Sequence, residues 1–168
     1  NYEGHALFID ADMLCLGDIA ELPWDSPHAV SVVHHTESEL VPGFKLYFER
    51  ASVMLFNCEK CKVLTPEYIE SGSPQSLEWA GGVGELPREW NHLVGYDNPK
   101  PAKLVHYTQG IPCFPETSKD EYAEPWVKAA QHAMGTVSWQ EIMGPSVHAR
   151  FKREQKPAQR PLIAVGEG

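Results

Sequence analysis

The stretch Leu7-Phe8-Ile9-Asp10-Ala11-Asp12-Met13 constrains this chain more than any other. An apolar run ends in two carboxylates one residue apart. If the run is a strand, alternation of side chains puts Asp10 and Asp12 on one face, where the strand leaves its sheet. Two anions held that close repel each other and become favourable beside a divalent cation. The expectation is a hard metal ion at the carboxyl edge of a sheet, placed to receive a phosphate-bearing ligand.

The 168 residues suffice for one ordinary domain, and a hydrophobic content of 42% supports a core. With 14 basic against 23 acidic residues the net charge is −9, which excludes broad attraction to nucleic acid or anionic lipid. An anionic substrate then needs a local cation. No apolar run approaches the ~20 residues of a membrane span, and no secretory leader opens the chain. Cys58 and Cys61 form one C-x-x-C, while Cys15 and Cys113 stand apart. Without a second pair these read as incidental thiols in a reducing cytoplasm. Asn1 leads almost directly into a strand-like segment, as in a cut through a longer protein.

Four segments are expected to be strands, several of them, the first included, buried on both faces: His5–Ile9, 29–33, 52–56 and 103–106. Residues 17–22 allow a helical turn closed by Pro23. Thr65-Pro66 opens a short helix to about Glu70. Residues 71–84, rich in Gly and Ser, are expected to form a mobile loop. Ser118 to Glu121 has capping-box spacing and should open a helix that turns Tyr122, Trp126, Ala129, Ala130 and Ala133 inward. Pro125 should mark a kink or a restart of that helix, and Gly135 should end it. Residues 1–144 form the expected domain, and 145–168 a flexible tail. The fold class is α/β.

Several residues carry candidate chemistry. His106 ends an apolar segment and precedes a Gly-containing turn, so its imidazole and nearby backbone N–H groups can serve the same metal and a phosphate. His34 and His35 also follow a strand, with no carboxylate evident to pair with them. Asn57 is the polar end of Ser52-Val53-Met54-Leu55-Phe56-Asn57, either a site residue or the cap of the next turn. In Leu86-Pro87-Arg88-Glu89-Trp90-Asn91, Trp90 can cover a sugar face while Asn91 reads hydroxyls; a buried Trp beside a capping Asn is the plainer alternative. A D-x-D after a strand also fits a haloacid-dehalogenase-type phosphatase, although the downstream Lys and acidic pair of that chemistry are not evident.

Taken in order, F-I-D-A-D-M (8–13), S-V-M-L-F-N (52–57), L-P-R-E-W-N (86–91) and H-Y-T-Q-G-I-P (106–112) resemble the GT-A glycosyltransferases of family 8, the glycogenin and lipopolysaccharide galactosyltransferase kind. The resemblance spans roughly residues 4–126. It implies the C-terminal portion of a GT-A, Rossmann-like domain, whose base and ribose pocket is expected from further sequence, from another chain, or not at all. It implies Mn²⁺ (or Mg²⁺) held by Asp10, Asp12 and His106, a nucleotide-sugar donor, by family habit a UDP-sugar, and a carbohydrate or glycan acceptor, with retention at the anomeric carbon. Trp90, Asn91 and Gly110 would bind substrate. Asn57 and Gln75 would be catalytic, Pro74-Gln75 being the nearest match to the family's Asp-Gln. The diphosphate-binding Lys of the family's His-x-x-Gly-x-x-Lys has no counterpart after Gly110. An inactive remnant or sugar-binding module of the same fold is the competing reading.

Overall fold

A computed structural model describes residues 3–35, 49–97 and 100–145. The strands are β1 (His5–Ile9), β2 (Met13–Cys15), β3 (Val30–Val32), β4 (Val53–Asn57), β5 (Val83–Glu85), β6 (His92–Leu93) and β7 (Leu104–His106), with helices α1 (Pro66–Ser71), α2 (Ala123–Met134) and α3 (Trp139–Met143). The fold is mixed α/β. One sheet has the order β1-β4-β3-β5 and a second the order β2-β7-β6. β4 runs antiparallel to both β1 and β3, while β5 is parallel to β3. In the second sheet β2 is antiparallel and β6 parallel to β7.

The alternation along β4 explains how the core divides. Val53 and Leu55 face a cluster with Val33, Leu86, Trp90 and Leu104, so this core joins the two sheets. Met54 and Phe56 face the other way, against Val30, Val32, Leu77 and Trp79. Phe56 stacks on Trp79 with centroids 6.4 Å apart. A third cluster, Val94, Val105 and Tyr107, is covered by Tyr122 and Trp126 from the start of α2.

Several expectations change. β1 is not buried on both faces. It is the edge of its sheet, paired among the described residues only with β4, and Phe8 and Ile9 are 44% and 40% exposed. The segment 71–84 is not a plain loop. It holds two 3₁₀ turns that cover the sheet and then β5. Gly84 is required there, because a Cβ would lie 2.4 Å from Ser31 Oγ on the neighbouring strand.

The helix expected from Ser118 starts later. The Ser118 hydroxyl donates to the Pro115 carbonyl, and α2 begins after Tyr122, whose φ of 60° is left-handed. Pro125 falls in the first turn, where it needs no kink. Ala129 and Ala133 are exposed rather than inward. A capping box does form at Ser138 and Glu141, opening α3.

Thr65 caps α1 as expected, accepting from the Tyr68 N–H. Among the described residues no helix is long and apolar enough to cross a membrane. Apart from Pro145, the expected tail lies outside the described residues.

Candidate metal centre

The chain leaves β1 at Ile9, and the Asp10 N–H donates to the Ser52 carbonyl at 3.0 Å, the last rung of the first sheet. After one turn the Asp12 carbonyl accepts the Tyr107 N–H at 3.0 Å, and Met13 pairs with His106 in the second sheet. The two carboxylates therefore sit on either side of the crossing between sheets. This crossing brings His106, at the end of β7, to the same place.

Asp10, Asp12 and His106 each present one ligand atom within 4.8 Å of the others. His106 Nε2 lies 3.4 Å from Asp12 Oδ1. The hydrogen bond from His106 holds the Asp12 carboxyl below its ordinary range. The Asp10 carboxyl is pushed up, chiefly by burial; His106 opposes this and the Asp12 charge adds to it. His106 Nδ1 is buried with no hydrogen-bond partner. Two carboxylates and an imidazole suit a hard to borderline divalent ion such as Mn²⁺ or Mg²⁺, and a cation would relieve the repulsion at Asp10. These residues fit such an ion and could hold one.

The other candidates are placed differently. Asn57 pairs with His5, while Asp10 follows Ile9, which pairs with Val53. That register separates Asn57 from the metal centre by about the length of β4, roughly 13 Å. It flanks the next 3₁₀ turn without a side-chain cap bond. Trp90 is 1% exposed and packs in the core, so it offers no face to a sugar; it matches the plain alternative of a buried Trp. Asn91 is fully buried.

Gly110 adopts φ 113°, which only glycine tolerates well, but its N–H is spent on the Tyr107 carbonyl at 2.8 Å rather than offered to a phosphate. The backbone of Gln75 lies in the 3₁₀ turn Pro74–Ser76, and its side chain is outside the described residues. None of Cys15, Cys58, Cys61 and Cys113 is in a disulfide.

Sequence reasoning missed a buried polar group beside the site. His35 Nε2 donates to the Asn91 carbonyl at 2.9 Å and lies 4.0 Å from Asp97, so it does face a carboxylate. Burial first, and then the charge of Arg88, lowers the His35 pKa to about 4, which leaves it neutral. Asp97 also pairs with Arg88 and accepts the Leu93 N–H at 2.8 Å. Asn91 Nδ2 donates to Ser52 Oγ at 3.0 Å. No local pattern announces these contacts, because partners such as Asn91 and Ser52 are 39 residues apart.

No protein-family model matches the chain. Protein CDI of Arabidopsis thaliana is 32% identical over 150 residues, an alignment covering 76% of this chain and 58% of that protein. The chain thus spans less than two thirds of the relative's length. Among solved structures, the crystal structure of the galactosyltransferase LgtC in complex with donor and acceptor sugar analogues matches 77% of this chain and 61% of its own, at 16% identity and a TM-score of 0.49.

Proposed function

We propose that the chain is the metal-bearing part of a GT-A glycosyltransferase resembling family 8, moving a sugar from a nucleotide-sugar, by family habit a UDP-sugar, to a carbohydrate acceptor with retention. The observation that carries this reading is the convergence of Asp10, Asp12 and His106 within 4.8 Å at the crossing between two sheets. Ordered motifs around that crossing support it. Bound there, Mn²⁺ or Mg²⁺ would supply Lewis-acid charge for a departing diphosphate.

The chain's own residues do the holding. Asp10 and Asp12 project oxygens from the end of β1 and the turn after it, on backbone fixed from both sides. His106 brings a nitrogen from β7 and accepts its position from the Met13 pairing. Its buried side chain keeps that nitrogen from wandering into water. The base and ribose of a donor need residues beyond this centre, so the activity belongs to the whole protein.

The test is calorimetric titration of the full-length protein with Mn²⁺, then with UDP in the presence and absence of Mn²⁺. The expected result is one Mn²⁺ per chain and UDP binding that depends on it. UDP binding indifferent to the metal, or no Mn²⁺ binding, overturns the reading.

A further inference from the structure

The donors of the metal centre do not share a sheet. Asp10 is fixed to the first sheet through its N–H on the Ser52 carbonyl, at the start of β4. His106 belongs to β7 in the second sheet, where it pairs with Met13 of β2 and Leu93 of β6. Their separation depends on how the two sheets are joined beside the site, and a shift of a fraction of an ångström spoils a coordination set.

Among the described residues, Asn91 makes polar contacts that join them there. Asn91 immediately precedes β6. Its amide nitrogen reaches across to Ser52 Oγ at 3.0 Å, and its carbonyl receives His35 Nε2 at 2.9 Å from the residues following β3. Asn91 and Ser52 are 0% and 4% exposed, so water does not compete for this bond. Ser52 thus takes Asp10 on its carbonyl and Asn91 on its hydroxyl. Asn91 is one residue from the strand that pairs with His106. The line Asp10–Ser52–Asn91–β6–His106 is continuous and holds two hydrogen bonds before it enters the second sheet.

We infer that Asn91 and Ser52 are positioning residues for the metal centre, their buried hydrogen bond setting the distance between the sheet that carries Asp10 and the sheet that carries His106. Neither touches the ion. Asn91, which the L-P-R-E-W-N segment suggests as a substrate contact, acts instead from behind the ligands. The inference rests on the metal-binding reading above and goes beyond it by naming what sets the ligand spacing.

The test is a double-mutant cycle on Mn²⁺ affinity in the full-length protein with Ser52→Ala, Asn91→Ala and the pair, under conditions where near-ultraviolet circular dichroism shows each variant folded. Loss of a group supporting a ligand typically weakens metal binding about ten-fold or more, and the double variant should be no weaker than the poorer single one. A purely structural role lowers the melting temperature and leaves the affinity of the folded fraction alone. If Asn91→Ala does not fold, Ser52→Ala decides, because it deletes one hydroxyl and keeps the carbonyl that holds Asp10. Weakening by less than about three-fold in the single variants, or losses that add in the double, overturns the inference. A parent protein that binds no Mn²⁺ overturns the metal reading instead.

Discussion

At one end of the first sheet, β1 stops at Asp10 beside the start of β4; at the other, β4 stops at Asn57 beside the start of β1. Both ends follow an apolar run into a polar residue. At the Asn57 end most polar groups answer one another, although the buried His5 Nε2 has no hydrogen-bond partner among the described residues. Cys61 Sγ donates to the carbonyls of Ala29 and Asn57 at 3.2 and 3.1 Å, the Cys58 N–H to Gly4 at 2.9 Å, and Lys60 to the Pro27 carbonyl. At the Asp10 end two carboxylates and the His106 imidazole crowd within 4.8 Å of one another. Like charges crowded together mark a place where a cation completes the set. An orphaned ring nitrogen is common to both ends; crowded like charges are what single out the Asp10 end.

The contrast breaks most readily at Asp12. Asp12→Ala should weaken Mn²⁺ binding by about 100-fold or more in calorimetric titration, at or beyond the upper end of what loss of a supporting group costs. Retained affinity removes the difference between the two ends.

Asp10→Asn should also weaken Mn²⁺ binding, yet raise the melting temperature of the metal-free protein at neutral pH. Because burial raises the Asp10 pKa, its ionised form works against the fold, and protonation on acidification relieves that cost. The gap between parent and variant should therefore shrink as pH falls through the raised pKa. Asp12 has the opposite sign. Its pKa is lowered by the His106 hydrogen bond, so its contribution is present above the unfolded value and lost as pH falls through the folded one. Differential scanning calorimetry across acidic pH separates the two, and a metal-free Asp10→Asn protein that melts lower than its parent contradicts the assignment.

Asn57→Ala should do least. Mn²⁺ affinity should stay within about two-fold, and stability should fall by under ~1 kcal/mol in urea denaturation, since this side chain makes no cap hydrogen bond. A substantial loss of affinity would mean that the two ends are coupled through β4.

Why Asp10 was legible in the sequence and Asn57 misleading follows from strand direction. Period and apolarity locate a strand, but β4 reads the same whether it runs with β1 or against it. Antiparallel pairing sends Asn57 away from the site and brings Ser52 to it. Strands with five-residue apolar runs, such as His5–Ile9, were plain, whereas Met13–Cys15, Val83–Glu85 and His92–Leu93 are too short to show a period. Val83 and Gly84 follow two glycines and look like loop until Ser31 is seen to need the space that Gly84 leaves. Ser118 and Ser138 both begin S-x-x-E, and only the second caps a helix. The first spends its hydroxyl on Pro115, a tertiary choice that local spacing does not encode.

The placement of Asp10 and Asp12 on either side of the crossing has a thermodynamic consequence. Any cation that binds only when the two sheets are docked adds its binding free energy to their docking. At a free concentration 100 times the dissociation constant this amounts to ~2.7 kcal/mol, a sizeable share of the stability of an ordinary domain. The melting temperature then becomes a function of divalent-ion concentration, rising with its logarithm. Chelation acts on the fold as well as on the chemistry, loosening first the short second sheet, whose strands are three residues or fewer.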